Sequence, residues 1–109
     1  MTTIITYSIY INGEKAVKAA DKIIGNRCYK NLGDLGQIEI VLDDNRIYKG
    51  RINKWVAVYG LETLEAIESK VIPFLKNQGF SGCYAEIYKE IDDDDETKCG
   101  EITLHTLTL

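Results

Sequence analysis

The longest periodic segment of the chain is Leu61-Glu-Thr-Leu-Glu-Ala-Ile-Glu-Ser-Lys-Val-Ile-Pro-Phe-Leu-Lys-Asn-Gln78. Its apolar residues recur at steps of three and four, which places them on one stripe of a helix. Pro73 lacks a backbone donor and crowds the preceding turn, so we expect a kink or a short break there. Gly79 suits a left-handed cap, with Phe80 folding back onto the last turn. The stripe that has to pack on a sheet consists of Leu64, Ile67, Val71, Phe74 and Leu75.

The segments on either side of this helix alternate between apolar and polar residues, which is typical of half-buried strands. Hairpin-like connections dominate, so we predict an α+β fold: a mostly antiparallel sheet of about five strands with two helices packed on one face, in the order β-α-β-β-α-β-β. Whether residues 53–59 form a separate strand stays open. The phase of the last strand slips, and a bulge near His105 would reconcile its two halves. The predicted elements are a strand at 3–11, a helix at 14–24, a loop at 26–36, strands at 38–42 and 46–52, the helix at 61–78, and strands at 83–91 and 100–109.

Length and composition limit the possible classes of protein. A chain of 109 residues is the size of one domain, so we expect a single α+β domain over residues 1–109. Its hydrophobic share of 45% and charged share of 28% are ordinary globular values. The first residues lack the basic region of a signal peptide, and apolar runs are too short for a membrane span, which predicts a cytoplasmic protein without membrane contact. The odd count of cysteines, Cys28, Cys83 and Cys99, predicts reduced thiols rather than a disulfide framework.

The charge of the chain is unevenly distributed. Residues 81–109 carry eight acidic and two basic residues, a balance of −6, whereas the other 80 residues balance at +2. Six of the seven residues from Glu90 to Glu96 are acidic, and so many like charges cost stability through self-repulsion. We therefore predict an electrostatic docking surface for a basic protein, with a solubilising turn as the alternative. The predicted partner-binding residues are Tyr84 and Tyr88 as aromatic anchors, with Glu90, Asp92, Asp93, Asp94, Asp95 and Glu96.

Residues that could carry catalysis or hold a metal are sparse. His105 is the only histidine, and Cys83 could lie near it across the last hairpin, where an imidazole can help to form a thiolate. Cys83 falls on the apolar phase of its strand, however, which favours a core residue over a nucleophile. The pairing inferred for the last hairpin also puts His105 on the opposite face of the sheet from Cys83. The cysteines lack zinc spacing, and the acidic run lacks the glycine and terminal glutamate of a calcium loop. We predict no catalytic residue, no metal, no cofactor and no enzymatic activity.

A second surface supports a different function. Arg46, Lys49 and Arg51 form a basic strand pair together with Trp55, and such a surface can stack and neutralise single-stranded nucleic acid. The same charges also discourage edge-to-edge aggregation of a sheet. The overall pI near 5.0 favours the second interpretation, so direct nucleic-acid binding is kept as an alternative only.

In size, acidity and the cluster from Asp92 to Glu96, the chain resembles the small proteins that phages make against bacterial defence systems, in particular the anti-CRISPR proteins. The resemblance covers general character rather than an alignable stretch, and it assigns no residue a role. It implies a stoichiometric inhibitor that acts in the host cytoplasm and binds a nuclease or a CRISPR effector to block nucleic-acid entry. Bacterial immunity proteins, which neutralise toxins with acidic surfaces, are similar in the same general way. The identity of the partner and the oligomeric state stay open.

Overall fold

The computed structural model describes residues 3–25, 29–31 and 39–109. It shows an α+β fold in which all paired strands are antiparallel and the sheet order is β2-β3-β4-β1-β5-β6. Four consecutive helical segments, Leu64–Ala66, Ile67–Val71, Ile72–Leu75 and Lys76–Phe80, together form the helix that we call α2. The other elements are β1 (Thr3–Asn12), α1 (Glu14–Ile24), β2 (Tyr29–Asn31), β3 (Glu39–Tyr48), β4 (Arg51–Leu61), β5 (Tyr84–Asp93), a 3₁₀ turn (Glu96–Lys98) and β6 (Gly100–Thr108).

The predicted fold class is confirmed, with two differences in detail. The segment 53–59 is not a separate strand, because Arg51–Leu61 runs as one strand along both β3 and β1. The prediction of a loop over 26–36 was wrong at Tyr29–Asn31, which pairs with Glu39–Val41 as a short edge strand. Three residues with no period give no local signal, and their pairing with β3 supplies the hydrogen bonds that define the strand. The remaining residues of that predicted loop, 26–28 and 32–36, lie outside the described residues.

Both helices cover the same face of the sheet, as predicted. Ala16 and Ala20 of α1 are fully buried in the same cluster as Val71 and Leu75 of α2. The sheet contributes to this core a row of residues that pair across four adjacent strands. In order across the sheet they are Ile40, Val58, Ile9 and Ile87. The small alanines let α1 lie close to the strands, while the larger residues of α2 fill the remaining space.

The helix α2 continues through Pro73 instead of breaking. The turn before the proline widens, so that the amide of Ile72 donates to the carbonyl of Ile67, a five-residue step that is typical of a π-turn. This local widening relieves the crowding that a proline causes inside a regular helix. Gly79 adopts the predicted left-handed conformation with φ of 99°, and Phe80 beyond it is fully buried. Of the predicted stripe, Leu64 was placed wrongly: it lies in the first turn of α2 and is 37% exposed.

Strand β1 lies in the middle of the sheet, between β4 and β5, and its residues 8–11 are buried on both faces of the sheet. Ile9 and Ile11 point into the helix-covered core, whereas Tyr10 belongs to a second buried cluster with Trp55 and Ala57. The described residues of this second cluster all come from strands. We call this side of the sheet the tyrosine face, and its aromatic members are Tyr10, Trp55, Tyr59, Tyr84 and Tyr88.

Candidate interface on the tyrosine face

Strand β5 places the predicted aromatic anchors on the tyrosine face. Successive side chains of a strand point to opposite sides. Ala85 and Ile87 point into the helix-covered core and are fully buried, so Tyr84 and Tyr88 point the other way and are partly exposed. Glu90 follows on the same side, two residues further along. The structure therefore brings these three predicted residues together on one surface.

The rings on the tyrosine face form a connected group around Tyr10. The centroid of the Tyr10 ring lies 5.2 Å from that of Tyr88 and 5.9 Å from that of Tyr59, both in edge-on arrangements. The hydroxyl groups of Tyr10 and Tyr59 are 3.1 Å apart and share a hydrogen bond. Trp55 and Tyr84 form a further edge-on pair at 6.2 Å. Edge-to-face contacts of this kind contribute about 0.5–1.5 kcal/mol each beyond the area that they bury, so the rings support one another.

Glu86 is the acidic residue at the centre of this face. Its side chain accepts hydrogen bonds from the hydroxyl of Tyr84 at 2.8 Å and from that of Tyr88 at 2.7 Å, one on each carboxylate oxygen. Further along the strand, Glu90 accepts a hydrogen bond of 3.3 Å from the hydroxyl of Ser8, which is itself buried. The carboxylate of Glu86 is thus held between the hydroxyls of two tyrosines, in an arrangement that presents negative charge beside apolar ring surface.

The sequence prediction missed several members of this surface. Glu86 is not among the predicted partner-binding residues, although the alternation Tyr84, Glu86, Tyr88, Glu90 places all four on one side of a strand. Tyr10 and Tyr59 come from β1 and β4, and only the pairing of the strands brings them near β5. Ile4 was also missed: it lies opposite Asp92 and is 53% exposed, which places an apolar side chain next to the acidic residues.

The acidic hairpin, residues 92–96, is partly built by its own aspartates. Asp93 accepts hydrogen bonds from the hydroxyl of Thr3 and, at 2.9 Å, from the amide of Asp95. Asp95 accepts from the amide and the hydroxyl of Thr97, at 3.0 and 2.7 Å. These bonds favour the ionised carboxylates, so the pKa of each is held below the usual aspartate value. Two of the predicted docking residues, Asp93 and Asp95, therefore stabilise the turn. The other three acidic side chains of the hairpin are exposed and do not take part in these bonds: Asp92, Asp94 and Glu96.

The thiol of Cys99 is exposed and contacts the backbone of the acidic hairpin. Its sulfur accepts the amide of Asp93 at 3.2 Å, and its S–H contacts the carbonyl of Asp93 at the same distance. Cys83, in contrast, is only 6% exposed, and burial raises the pKa of its thiol, with Lys15 partly opposing the shift. Both are free thiols. Cys28 lies outside the described residues.

Cys83 and His105 are too far apart along the sheet to form a nucleophile and base. His105 pairs with Ile87, four residues from Cys83 on β5, which corresponds to about 13 Å of strand. This pairing puts His105 in register with a residue that faces the helices, and not on the opposite face from Cys83 as the sequence suggested. The predicted bulge is present, because the register shifts between Ile87 and Tyr88 and leaves Leu104 as the extra residue. A raised thiol pKa also disfavours the thiolate that catalysis requires.

The basic surface that supported nucleic-acid binding is not assembled as predicted. Lys49 and Arg51 are exposed at the turn between β3 and β4, but Trp55 is only 1% exposed, so its ring offers no free face for a base to stack on. The side chain of Arg46 lies outside the described part of the structure. A separate groove with three lysines runs along α1 beside the end of α2, on the helix-covered side. It is lined by Glu14, Lys15, Lys18, Ala19, Lys22, Gln78 and Gly79.

Comparison with known proteins found no matching family model, no matching curated protein and no matching solved structure. Among residues 3–25, 29–31 and 39–109, no group of three or more histidine, cysteine or acidic residues is arranged to hold a metal ion. None of the described helices has the length and hydropathy needed to cross a membrane.

Proposed function

We propose that the protein is a non-enzymatic binding protein that docks a basic protein surface on its tyrosine face and acidic hairpin. The observation that carries this proposal is the position of Glu86, whose two carboxylate oxygens hold the hydroxyls of Tyr84 and Tyr88. The surface continues along β5 through Glu90 to the acidic hairpin, with Ile4 exposed beside it. Charge and apolar area are therefore combined on one side of the sheet.

This combination suits arginine-rich partners. The acidic hairpin accelerates encounter with a positive surface, and tyrosine rings supply contact area with few rotatable bonds. A guanidinium group can stack on a tyrosine ring while it pairs with a neighbouring carboxylate, which an ammonium group does less well. Arginine side chains of a partner would stack on Tyr88 and pair with Glu86 or Glu90, which lie on the same side of β5.

The partner class that we propose is a nuclease or a CRISPR surveillance complex in the cytoplasm, inhibited by occupation of its nucleic-acid-binding site. Such sites are lined with arginine and lysine that normally neutralise phosphates, and the exposed carboxylates of Asp92, Asp94 and Glu96 offer the same kind of charge. A bacterial toxin neutralised by an immunity protein is the second candidate, since it would present a similar basic surface. The two candidates are distinguished by competition: a nuclease or CRISPR complex would bind nucleic acid or this protein, but not both at once.

Nucleic-acid binding by this chain is the weaker alternative. Trp55, the aromatic residue of that surface, is buried, and the tyrosine face that could stack bases carries the carboxylates of Glu86 and Glu90. Carboxylates repel phosphates, so the surface with suitable rings has the wrong charge.

Calorimetric titration with a short arginine-rich peptide tests the proposal. The variant Asp92→Asn/Asp94→Asn/Glu96→Gln removes three exposed charges and leaves intact the two aspartates that shape the turn. The control variant is Glu62→Gln/Glu65→Gln/Glu68→Gln, which changes the net charge equally at exposed positions in the first turns of α2 and just before it. We expect the hairpin variant to bind at least tenfold more weakly and the control variant to bind like the wild type. Equal weakening of both variants would show that only net charge matters and would overturn the proposal.

A further inference from the structure

Strand β6 forms one edge of the sheet. It pairs with β5 on one side, and within the described residues no strand pairs with its other side. An edge strand presents unpaired backbone amides and carbonyls, which makes it a template for another strand. The opposite edge is formed by β2, which has three residues, whereas β6 has nine. The long edge is therefore the one that can accept a partner strand.

The side chains of β6 do not protect this edge as charged edge strands usually do. Glu101 is its only acidic residue, and it contains neither lysine, arginine nor proline. From Ile102 to Thr108 the strand contains only threonine, isoleucine, leucine and His105, whereas 28% of the whole chain is charged. Ile102 is 50% exposed, and Leu104 and Leu107 are partly exposed. The bulge at Leu104 is the only common protective feature that this strand has.

We propose that β6 pairs antiparallel with β6 of a second copy of this chain, about a two-fold axis close to His105. The axis stands perpendicular to the sheet and passes between Leu104 and His105, so that Thr103 of one copy lies opposite Thr106 of the other, and both point to the tyrosine face. The charge distribution favours a second copy in this orientation. Antiparallel pairing places the two acidic hairpins at opposite ends of the paired strands, about 30 Å apart for nine residues and well beyond the screening length of about 8 Å. Parallel pairing would bring the two hairpins side by side.

This pairing places the tyrosine faces of both copies on the same side of the combined sheet. A two-fold axis perpendicular to the sheet keeps the same side of both copies facing the same way, so the two sheets of six strands each become one continuous sheet. Both tyrosine faces then point to the same side, and a partner with two basic surfaces could engage both at once. The dimer itself does not depend on the proposed function and is tested separately.

Sedimentation equilibrium over about 1 µM to 1 mM tests the dimer directly. An interface formed by one strand edge lies at the small end of specific interfaces, so we expect a dissociation constant on the order of 10 to 100 µM. The expected mass at high concentration is twice the 12.3 kDa of the chain. A monomer at every concentration would overturn the proposal.

Two double variants separate edge pairing from general charge effects. Thr103→Lys/Thr106→Lys places lysines opposite each other across the proposed interface, at exposed positions where the fold tolerates them. Asn77→Lys/Gln78→Lys adds the same charge at exposed positions of α2. We expect the first variant to raise the dissociation constant at least tenfold and the second to leave it within twofold of the wild type. A dimer that is equally stable in both variants would contradict pairing through β6.

Cross-linking tests the position of the axis. In a Cys28→Ser/Cys99→Ser background, His105→Cys would bring two thiols together at the axis, within the reach of a disulfide. Thr108→Cys is the control, because its counterpart in the second copy lies at the other end of the pair. We expect mild oxidation to give a covalent dimer with His105→Cys and not with Thr108→Cys. The reverse result would contradict an axis at His105.

Discussion

The hydroxyl of Tyr88 donates a hydrogen bond of 2.7 Å to the carboxylate of Glu86, two residues earlier on the same strand. Residues two apart on a strand lie on the same side, so this contact fixes both side chains at the surface where a partner would dock. The ring of Tyr10 packs edge-on against the ring of Tyr88, with the two ring centroids 5.2 Å apart. A side chain that is already fixed loses less conformational entropy when it binds, which strengthens an interface without adding contacts.

Replacing Tyr88 separates the role of its ring from that of its hydroxyl. Tyr88→Phe keeps the ring and loses a hydrogen bond worth about 0.5–1.5 kcal/mol of stability, while Tyr88→Ala removes the contact area as well. We expect Tyr88→Ala to increase the dissociation rate of an arginine-rich peptide at least fivefold and Tyr88→Phe to change it less than twofold, measured by stopped-flow fluorescence. Equal rates for the wild type and Tyr88→Ala would exclude Tyr88 as an anchor.

The carboxyl groups of the turn should titrate at low pH. The hydrogen bonds to Asp93 and Asp95 lower the pKa of each, so we expect carboxyl NMR signals with midpoints below the usual value of about 3.9. Because the folded pKa lies below the unfolded one, the stabilisation is complete above the unfolded value and is lost as the pH falls through the folded value. Thr97→Val removes one donor and should raise the midpoint of Asp95 towards 3.9. An Asp95 midpoint at or above the usual value would contradict this geometry.

The two phenylalanines of the chain should differ in their contribution to stability. Phe80 is fully buried beyond the left-handed Gly79, whereas Phe74 is partly exposed. We expect Phe80→Ala to lower the free energy of unfolding by about 3–5 kcal/mol, since it leaves a cavity in the core. Phe74→Ala should cost less, and urea denaturation of both variants gives the comparison. A larger loss for Phe74→Ala would show that the C-terminal end of α2 is packed differently.

The described thiols should react at different rates in the folded protein. Cys99 is exposed beside the acidic hairpin, while Cys83 is buried and the pKa of its thiol is raised, which reduces the reactive thiolate. We expect iodoacetamide to alkylate Cys99 first and Cys83 only on unfolding, as followed by peptide mass spectrometry. Rapid alkylation of Cys83 in the native protein would contradict its buried position. Three free thiols in the denatured, unreduced protein would confirm that the cysteines are reduced.

The sequence predicted the long elements well because their periodicity is local. The stripe that contains Ile67, Val71 and Leu75 repeats along one helix, and the alternation around Ile87 repeats along one strand, so neighbouring residues carry the signal. The short strand Tyr29–Asn31 could not be predicted in this way, because it is defined by its pairing with β3. Leu64 was misplaced because periodicity gives the direction of a side chain but not where the covering sheet ends.

The candidate site was only partly predictable for the same reason. The acidic hairpin is contiguous in sequence, and Tyr84 and Tyr88 adjoin it, so composition alone indicated them. Tyr10 and Tyr59 reach the surface through the pairing of β1 with β4 and β5, which no local pattern contains. The burial of Trp55 likewise depends on its position beside β1 in the sheet.

The amide NMR spectrum of the labelled protein, recorded during titration with an arginine-rich peptide, tests the central claim most directly. Docking on the tyrosine face predicts shift changes for Tyr10, for β5 from Tyr84 onwards and for the acidic hairpin. It also predicts little change around the start of α2, where Glu62, Glu65 and Glu68 provide exposed acidic residues outside the proposed interface. Changes as large at these glutamates as at Glu86 and Glu90 would mean that the peptide binds acidic residues wherever they lie, and would contradict a docking surface on this face.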